Sequence, residues 1–263
     1  MNAGNPNRSC RRLCLVGGAA LLLLGGAWHD IEAAEGFPPQ TFTFPVQAWI
    51  PDGDDSGLAD ARSLPAGPAP ILSLVVTLQL SPHPEGAFLG DLFVSLAGPT
   101  AGYSVLLNRP GRAPGRPFGY SDGMNVHITL SDAASADVHN YRLTLTGDEN
   151  IPLNIPLTGL WQPDARATDP ADVVTDDPRT AGLGSFAGLE PGGTWVLFAA
   201  DVSGGGQYRL DAWSLEVHYI PEPSTAGLLI MALLVGSARM VRGRFLHPGA
   251  NALSAMPSPG PFR

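Results

Sequence analysis

The chain has 263 residues, 44% of them apolar, which is enough for one sizeable core. Its 32 Gly and 26 Pro favour many tight turns between short strands and weigh against long helices, so an all-β fold is expected. Residues 35–222 hold 22 Asp and Glu, eight Arg and no Lys, a formal charge of −14. That surface repels nucleic acid phosphates and anionic lipid and suits divalent cations or neutral polymers better.

At the N-terminus Arg8, Arg11 and Arg12 precede an apolar run over 13–24, and Gly25-Gly26-Ala27 supplies the small residues at which a signal peptidase cuts. This is the pattern of a secretory signal peptide, with Ala33 and Ala34 as alternative cleavage points, so 1–34 is expected to be signal and leader. A retained membrane helix is the alternative, for which the run is short. Cys10 and Cys14, the only cysteines, fall in this segment. The mature body then has no thiol for a disulfide, a nucleophile or a metal ligand.

The first candidate strand, 47–50, runs into Asp52-Gly53-Asp54-Asp55-Ser56-Gly57. Oxygen side chains at alternate positions with a following Gly fit a hard cation, and Asp52, Asp54 and Ser56 are the candidate ligands of a Ca2+ turn. Beyond Gly57 the pattern stops: Ser63 stands where a bidentate Glu belongs, and Pro51 and Pro65 exclude flanking helices. A solvated acidic turn is the alternative.

Further strands are expected over 71–80, 91–97, 103–107, 126–130, 141–146, 158–162, 194–200 and 207–219. In the first of these Leu72, Leu74, Val76, Leu78 and Leu80 recur with period two and so share a face. The stretch 163–184, rich in Asp, Pro and Ala, reads as an ordered surface excursion. Ser203-Gly204-Gly205-Gly206 is expected to join the last two strands as a hairpin. No helical period longer than three turns and no internal repeat occurs, and 41–219 reads as a single jelly-roll-like two-sheet β-sandwich.

Three constellations bear on chemistry. Gly119-Tyr120-Ser121-Asp122-Gly123 matches a nucleophile elbow, which needs a helix after the Ser; 124–130 is a strand pattern, so Ser121 belongs in a turn. His83, His127, His139 and His218 show no metal-ligand spacing and are expected to be surface or hydrogen-bonded structural residues. Trp195 and Trp213 are expected in the core. No catalytic residue is singled out and the body reads as a non-enzyme, with an extracellular hydrolase using carboxylates as an alternative.

After the last strand come Ile220-Pro221-Glu222-Pro223-Ser224-Thr225, an apolar run over 226–238, and Arg239, Arg242 and Arg244. These residues, in this order, resemble the PEP-CTERM sorting signal. The resemblance implies that 220–244 is recognised by an exosortase, a membrane transpeptidase-like protease of exopolysaccharide-producing Gram-negative bacteria. It implies export to the cell surface or extracellular matrix, a transient membrane anchor, and exopolysaccharide or surface proteins as partners. Thirteen residues at about 1.5 Å each cover only about 20 Å of a roughly 30 Å hydrocarbon layer, which suits a transient stop. An ordinary C-terminal membrane anchor is the alternative. Residues 245–263 depart from the family pattern as a Pro-rich extension, expected to be disordered.

Within the body, Ile50-Pro51-Asp52, Gly90-Asp91-Leu92 leading into Phe93-Val94-Ser95-Leu96, Val105-Leu106-Leu107-Asn108-Arg109, Gly193-Thr194-Trp195-Val196-Leu197 and Leu210-Asp211-Ala212-Trp213-Ser214-Leu215 are similar, in order, to the P domain of proprotein convertases. That family is a jelly-roll sandwich found beside subtilisin-like proteases. The resemblance implies the fold, and it implies as a further alternative a folding or recruiting partner of a secreted protease. Leu130-Ser131-Asp132-Ala133-Ala134 stands where the family tends to have two adjacent acids, which puts an ion site there in doubt.

Overall fold

The computed structural model describes residues 36–222. The expected signal peptide, Pro223, Arg239, Arg242, Arg244 and the extension 245–263 lie outside the described residues. Nine strands and one short α-helix follow in chain order: β1 (Gln40–Trp49), β2 (Asp54–Leu64), β3 (Ile71–Pro82), β4 (Leu92–Ala97), β5 (Tyr103–Asn108), β6 (Val126–Leu130), α1 (Tyr141–Thr146), β7 (Leu157–Trp161), β8 (Gly193–Asp201) and β9 (Tyr208–Tyr219). One sheet has the order β1-β9-β3-β6-β7 and the other β2-β8-β4-β5. The described pairs are antiparallel except β6 with β7, which run parallel.

The two inner faces share one core, so the sheets form a sandwich. Leu74, Val76 and Leu78 of β3 and Leu215 and Val217 of β9 belong to the same buried cluster as Val94 and Leu96 of β4 and Leu197 of β8. Trp195 and Trp213 are buried as expected, each with its indole N–H satisfied. Trp195 donates to the Pro191 carbonyl at 2.8 Å, and Trp213 donates across the sandwich to Asp60 of β2 at 2.7 Å.

Five expectations are corrected. The acidic segment from Asp54 is not a turn between strands: it opens the edge strand β2, with Asp54, Asp55 and Ser56 exposed at its start, where charge discourages further pairing. Residues 141–146 form α1 instead of a strand, closed by Gly147 at φ +77°, and the alternating Leu143 and Leu145 face solvent. Leu72 leaves the face it was expected to share, because a register shift between Ile71 and Ser73 inserts one extra residue and turns it outward, 52% exposed. β8 and β9 belong to different sheets, so 203–206 is an arch across the end of the sandwich and not a hairpin. The excursion 163–184 is ordered, but Asp164, Arg166 and Val173 are buried in it.

β1 begins at Gln40, well before the expected start, and tolerates Pro45 because it too is an edge. No helix among the described residues is long and apolar enough to cross a membrane.

Candidate functional site

The arch 203–206 meets two other segments at one end of the sandwich. Residues 88–91 run beside 120–122, with the Leu89 amide donating to the Asp122 carbonyl at 2.9 Å and the Gly90 amide to the Tyr120 carbonyl at 2.8 Å. The approach is so close that a Cβ on Gly90 would lie 2.5 Å from the Phe118 carbonyl oxygen. Between these segments and the arch lies a cavity of about 470 Å³, lined by Phe88, Asp91, Phe118, Gly119, Ser121, Ser203 and Gly204.

Asp91 is the one charged residue in that lining. Its Oδ1 stands 3.5 Å from Arg109 Nη2, which also donates to Ser203 Oγ at 3.0 Å, while Arg109 Nε donates to the Gly90 carbonyl at 3.2 Å. Arg109 itself lines a second cavity of about 390 Å³, with Phe93, Phe198, Asp55 and Asp169 among its other walls. The pair thus presents its acid to one cavity and its base to the other. Burial raises the Asp91 pKa and lowers that of Arg109, each against the attraction of its partner.

Behind Asp91 sits Asp201, the last residue of β8, opposite Leu92 in register. The Val202 amide donates to the Asp91 carbonyl at 2.9 Å and locks the two segments together. Asp201 is completely buried; its Oδ1 accepts the Ser203 amide at 3.3 Å, and its Oδ2 has no hydrogen-bond partner. Burial pushes its carboxyl up to about 7, and repulsion from Asp91 and Asp52 adds to the rise while the Ser203 amide opposes it.

Of the candidate calcium ligands, Asp52 accepts the Gly205 amide on both oxygens, at 3.0 and 3.2 Å, and so fastens the arch. Asp54 Oδ1 accepts the Ser56 amide at 2.8 Å, and that local bonding lowers the Asp54 pKa. The glycines have backbone roles: Gly53 and Gly57 adopt φ +62° and +55°, and a Cβ on Gly57 would lie 2.5 Å from the Ala199 carbonyl. Among the described residues no three His, Cys, Asp or Glu side chains converge as a metal site.

Ser121 lies in the irregular segment before β6 and not in the expected turn, and the group on its Oγ is the Arg142 guanidinium at 3.3 Å, which cannot take a proton from it. Its neighbour Asp122 is buried and salt-bridged to Arg142. His139 is fully buried, with Nδ1 2.8 Å from Asp164 Oδ2 and Nε2 3.0 Å from the Arg112 carbonyl. Arg166 spans Asp164 and Asp137 at 3.1 and 2.8 Å, so this cluster pins 163–184 to the body. Asp132 accepts the Leu183 and Gly184 amides at 3.1 and 2.6 Å, a structural use of that acid. Of the sorting motif, Pro221 and Glu222 are exposed just past β9.

Sequence reasoning did not single out Asp91 or Asp201 as a pair, and they are 110 residues apart in a chain full of Asp. The usable signal was weak: each lies next to an apolar strand run, where an acid must either be paired or face a site.

No family model matches the chain, and no curated protein matches it. Among solved structures it is similar to a serine protease of Aeromonas sobria in complex with the chaperone, at 17% identity and a TM-score of 0.34, covering 70% of this chain and 28% of that one. The serine protease of Aeromonas sobria by itself gives 17% identity and a TM-score of 0.35, over 68% and 27%. The chain spans little more than a quarter of the length of either protein.

Proposed function

We propose that this chain is an exported, non-catalytic β-sandwich module, placed at the cell surface or in the extracellular matrix by an exosortase-type system. The observation that supports this most is the exit of the chain from the fold. β9 ends at Tyr219, and Ile220, Pro221 and Glu222 leave it exposed, where a processing enzyme can reach an extended segment. Intact-mass measurement of surface-released protein tests the reading: the product should lack the leader before about Trp28 or Glu35 and end near Pro221–Thr225. Recovery with Arg239 to Arg263 still attached would sink it.

Calcium enters this proposal as a stabiliser of a body charged near −14, with Asp52, Asp54 and Ser56 supplying oxygens. Millimolar calcium should raise the melting temperature above that in matched ionic strength, and Asp52→Asn with Asp54→Asn should erase the rise. A second reading, a recruiting or folding partner of a secreted protease, is favoured by where the P-domain-like segments fall. Gly90-Asp91-Leu92 leads into β4 beside the cavity, whereas Gly193-Thr194-Trp195 opens β8 at the end remote from it, Leu92 pairing with Asp201 at the other end. Co-purification with such a protease would support it.

A further inference from the structure

We propose that the cavity over Asp91 binds an organic cation, a guanidinium or ammonium group on an apolar stem, as an arginine or lysine side chain of a partner polypeptide presents it. This goes beyond the sorting reading and depends on the body alone. The cavity, about 470 Å³, has the size of a small-ligand site. Its polar lining is one carboxylate and two hydroxyls, Ser121 and Ser203, and its apolar walls are Phe88 and Phe118.

Charge around Asp91 is not balanced from within. Asp91, Asp201 and Asp52 repel one another, while Arg109 is the cation among them and is already shared between the Gly90 carbonyl, Ser203 and Asp91. Its 3.5 Å approach to Asp91 is longer than a charge-assisted hydrogen bond of about 2.7–2.9 Å, so Arg109 compensates the carboxylate only in part, with the Ser203 hydroxyl as its other partner. Behind it the buried Asp201 Oδ2 has no partner at all. A cation seated in the cavity meets this excess.

The walls select the kind of cation. Phe118 is 69% exposed and Phe88 also reaches solvent, at the rim of an acidic hollow. Aromatic faces attract a guanidinium or ammonium and cover its methylene stem, but they offer nothing to a bare calcium ion, which needs six to eight oxygens. The chain has no Lys, and the strongly negative body draws cationic partners towards it.

The test is titration of the purified exported chain with acetyl-Gly-Arg-Gly-amide, with its citrulline counterpart and with agmatine, followed by calorimetry and by amide chemical shifts. The arginine peptide should saturate in the millimolar range or tighter, with shifts confined to 88–91, 118–121 and 203–205. Citrulline, uncharged but of the same shape, should bind at least about tenfold more weakly. Agmatine matching the peptide places recognition in the cation and stem; a tighter peptide assigns the occupant to a polypeptide. Phe118→Ala, at an exposed side chain, should weaken the peptide about two- to fivefold without altering the fold. Asp91→Asn should weaken it further, and if that variant fails to fold the Phe118→Ala result stands for it. No saturation up to about 10 mM, equal affinity for the citrulline peptide, or unchanged affinity in Phe118→Ala overturns the proposal.

Discussion

Asp122 and Arg142 meet as a buried fork, with Arg142 Nε on one carboxylate oxygen and Nη2 on the other, each at 2.7 Å. The same carboxylate accepts the Tyr141 hydroxyl at 2.5 Å and the Leu153 amide at 2.9 Å. One acid therefore ties together the segment before β6, the helix α1 and the approach to β7. Burial and the Asp122 charge push the Tyr141 hydroxyl far above its ordinary pKa, so it remains a donor to that acid.

Removing either partner of this fork leaves the other buried and uncompensated. Asp122→Ala and Arg142→Leu should each destabilise the protein by about 3–5 kcal/mol, and the double replacement should cost less than their sum. Urea unfolding of the three variants measures this. Single-variant losses below about 1 kcal/mol would show that the fork does not hold these segments together.

Ser121 lies next to Asp122 and carries none of this. It is exposed, and its Oγ accepts one long bond from Arg142. Ser121→Ala should leave stability within about 0.5 kcal/mol of the parent and leave any hydrolysis by the preparation unchanged. Loss of a demonstrated esterase or peptidase activity in this variant would overturn the non-catalytic reading.

The elements that sequence made legible are those whose period is unbroken. Val126, Ile128 and Leu130 alternate on β6, and Leu74, Val76, Leu78 and Leu80 alternate on β3, as a strand with one buried face must. The misreadings share a cause, in that long-range contacts override a local pattern. Tyr141-Arg142-Leu143-Thr144-Leu145 has strand composition, yet Asp122 captures Tyr141 and Arg142 and Gly147 closes the turn, so the segment coils and leaves two leucines in solvent. β2 escaped notice because an edge strand has little apolar face to display. The cavity was illegible altogether, since its walls come from residues near 90, 120 and 204 that only long-range backbone contacts and the arch between the sheets bring together.

Gly57 distinguishes a backbone role from a calcium-loop role for the acidic segment. β2 carries extra residues between Asp54 and Leu58 against β8, and Gly57 at φ +55° closes that bulge against the Ala199 carbonyl. Gly57→Ala should cost more than about 1 kcal/mol, and by the same amount with and without calcium. A loss that appears only in the presence of calcium would return the glycine to a metal loop.

Asp201 makes the stability of the fold depend on pH in a definite direction. Its folded carboxyl sits at about 7 against an ordinary 3.8, so between those values the folded state retains a proton that the unfolded chain has released. The contribution of the group is fully present below about pH 4 and is lost as pH rises through about 7, where a charge must be held beside Asp91 and Asp52. Asp201→Asn keeps an oxygen for the Ser203 amide and removes the charge. It should therefore match the parent near pH 3.5 and exceed it at pH 8 by about 1–3 kcal/mol. The other carboxylates titrate in both proteins, so the difference between their urea midpoints across this range isolates Asp201 from the rest. A pH-independent difference, or an Asn variant weaker than the parent at pH 8, would mean that the buried oxygen is compensated in solution.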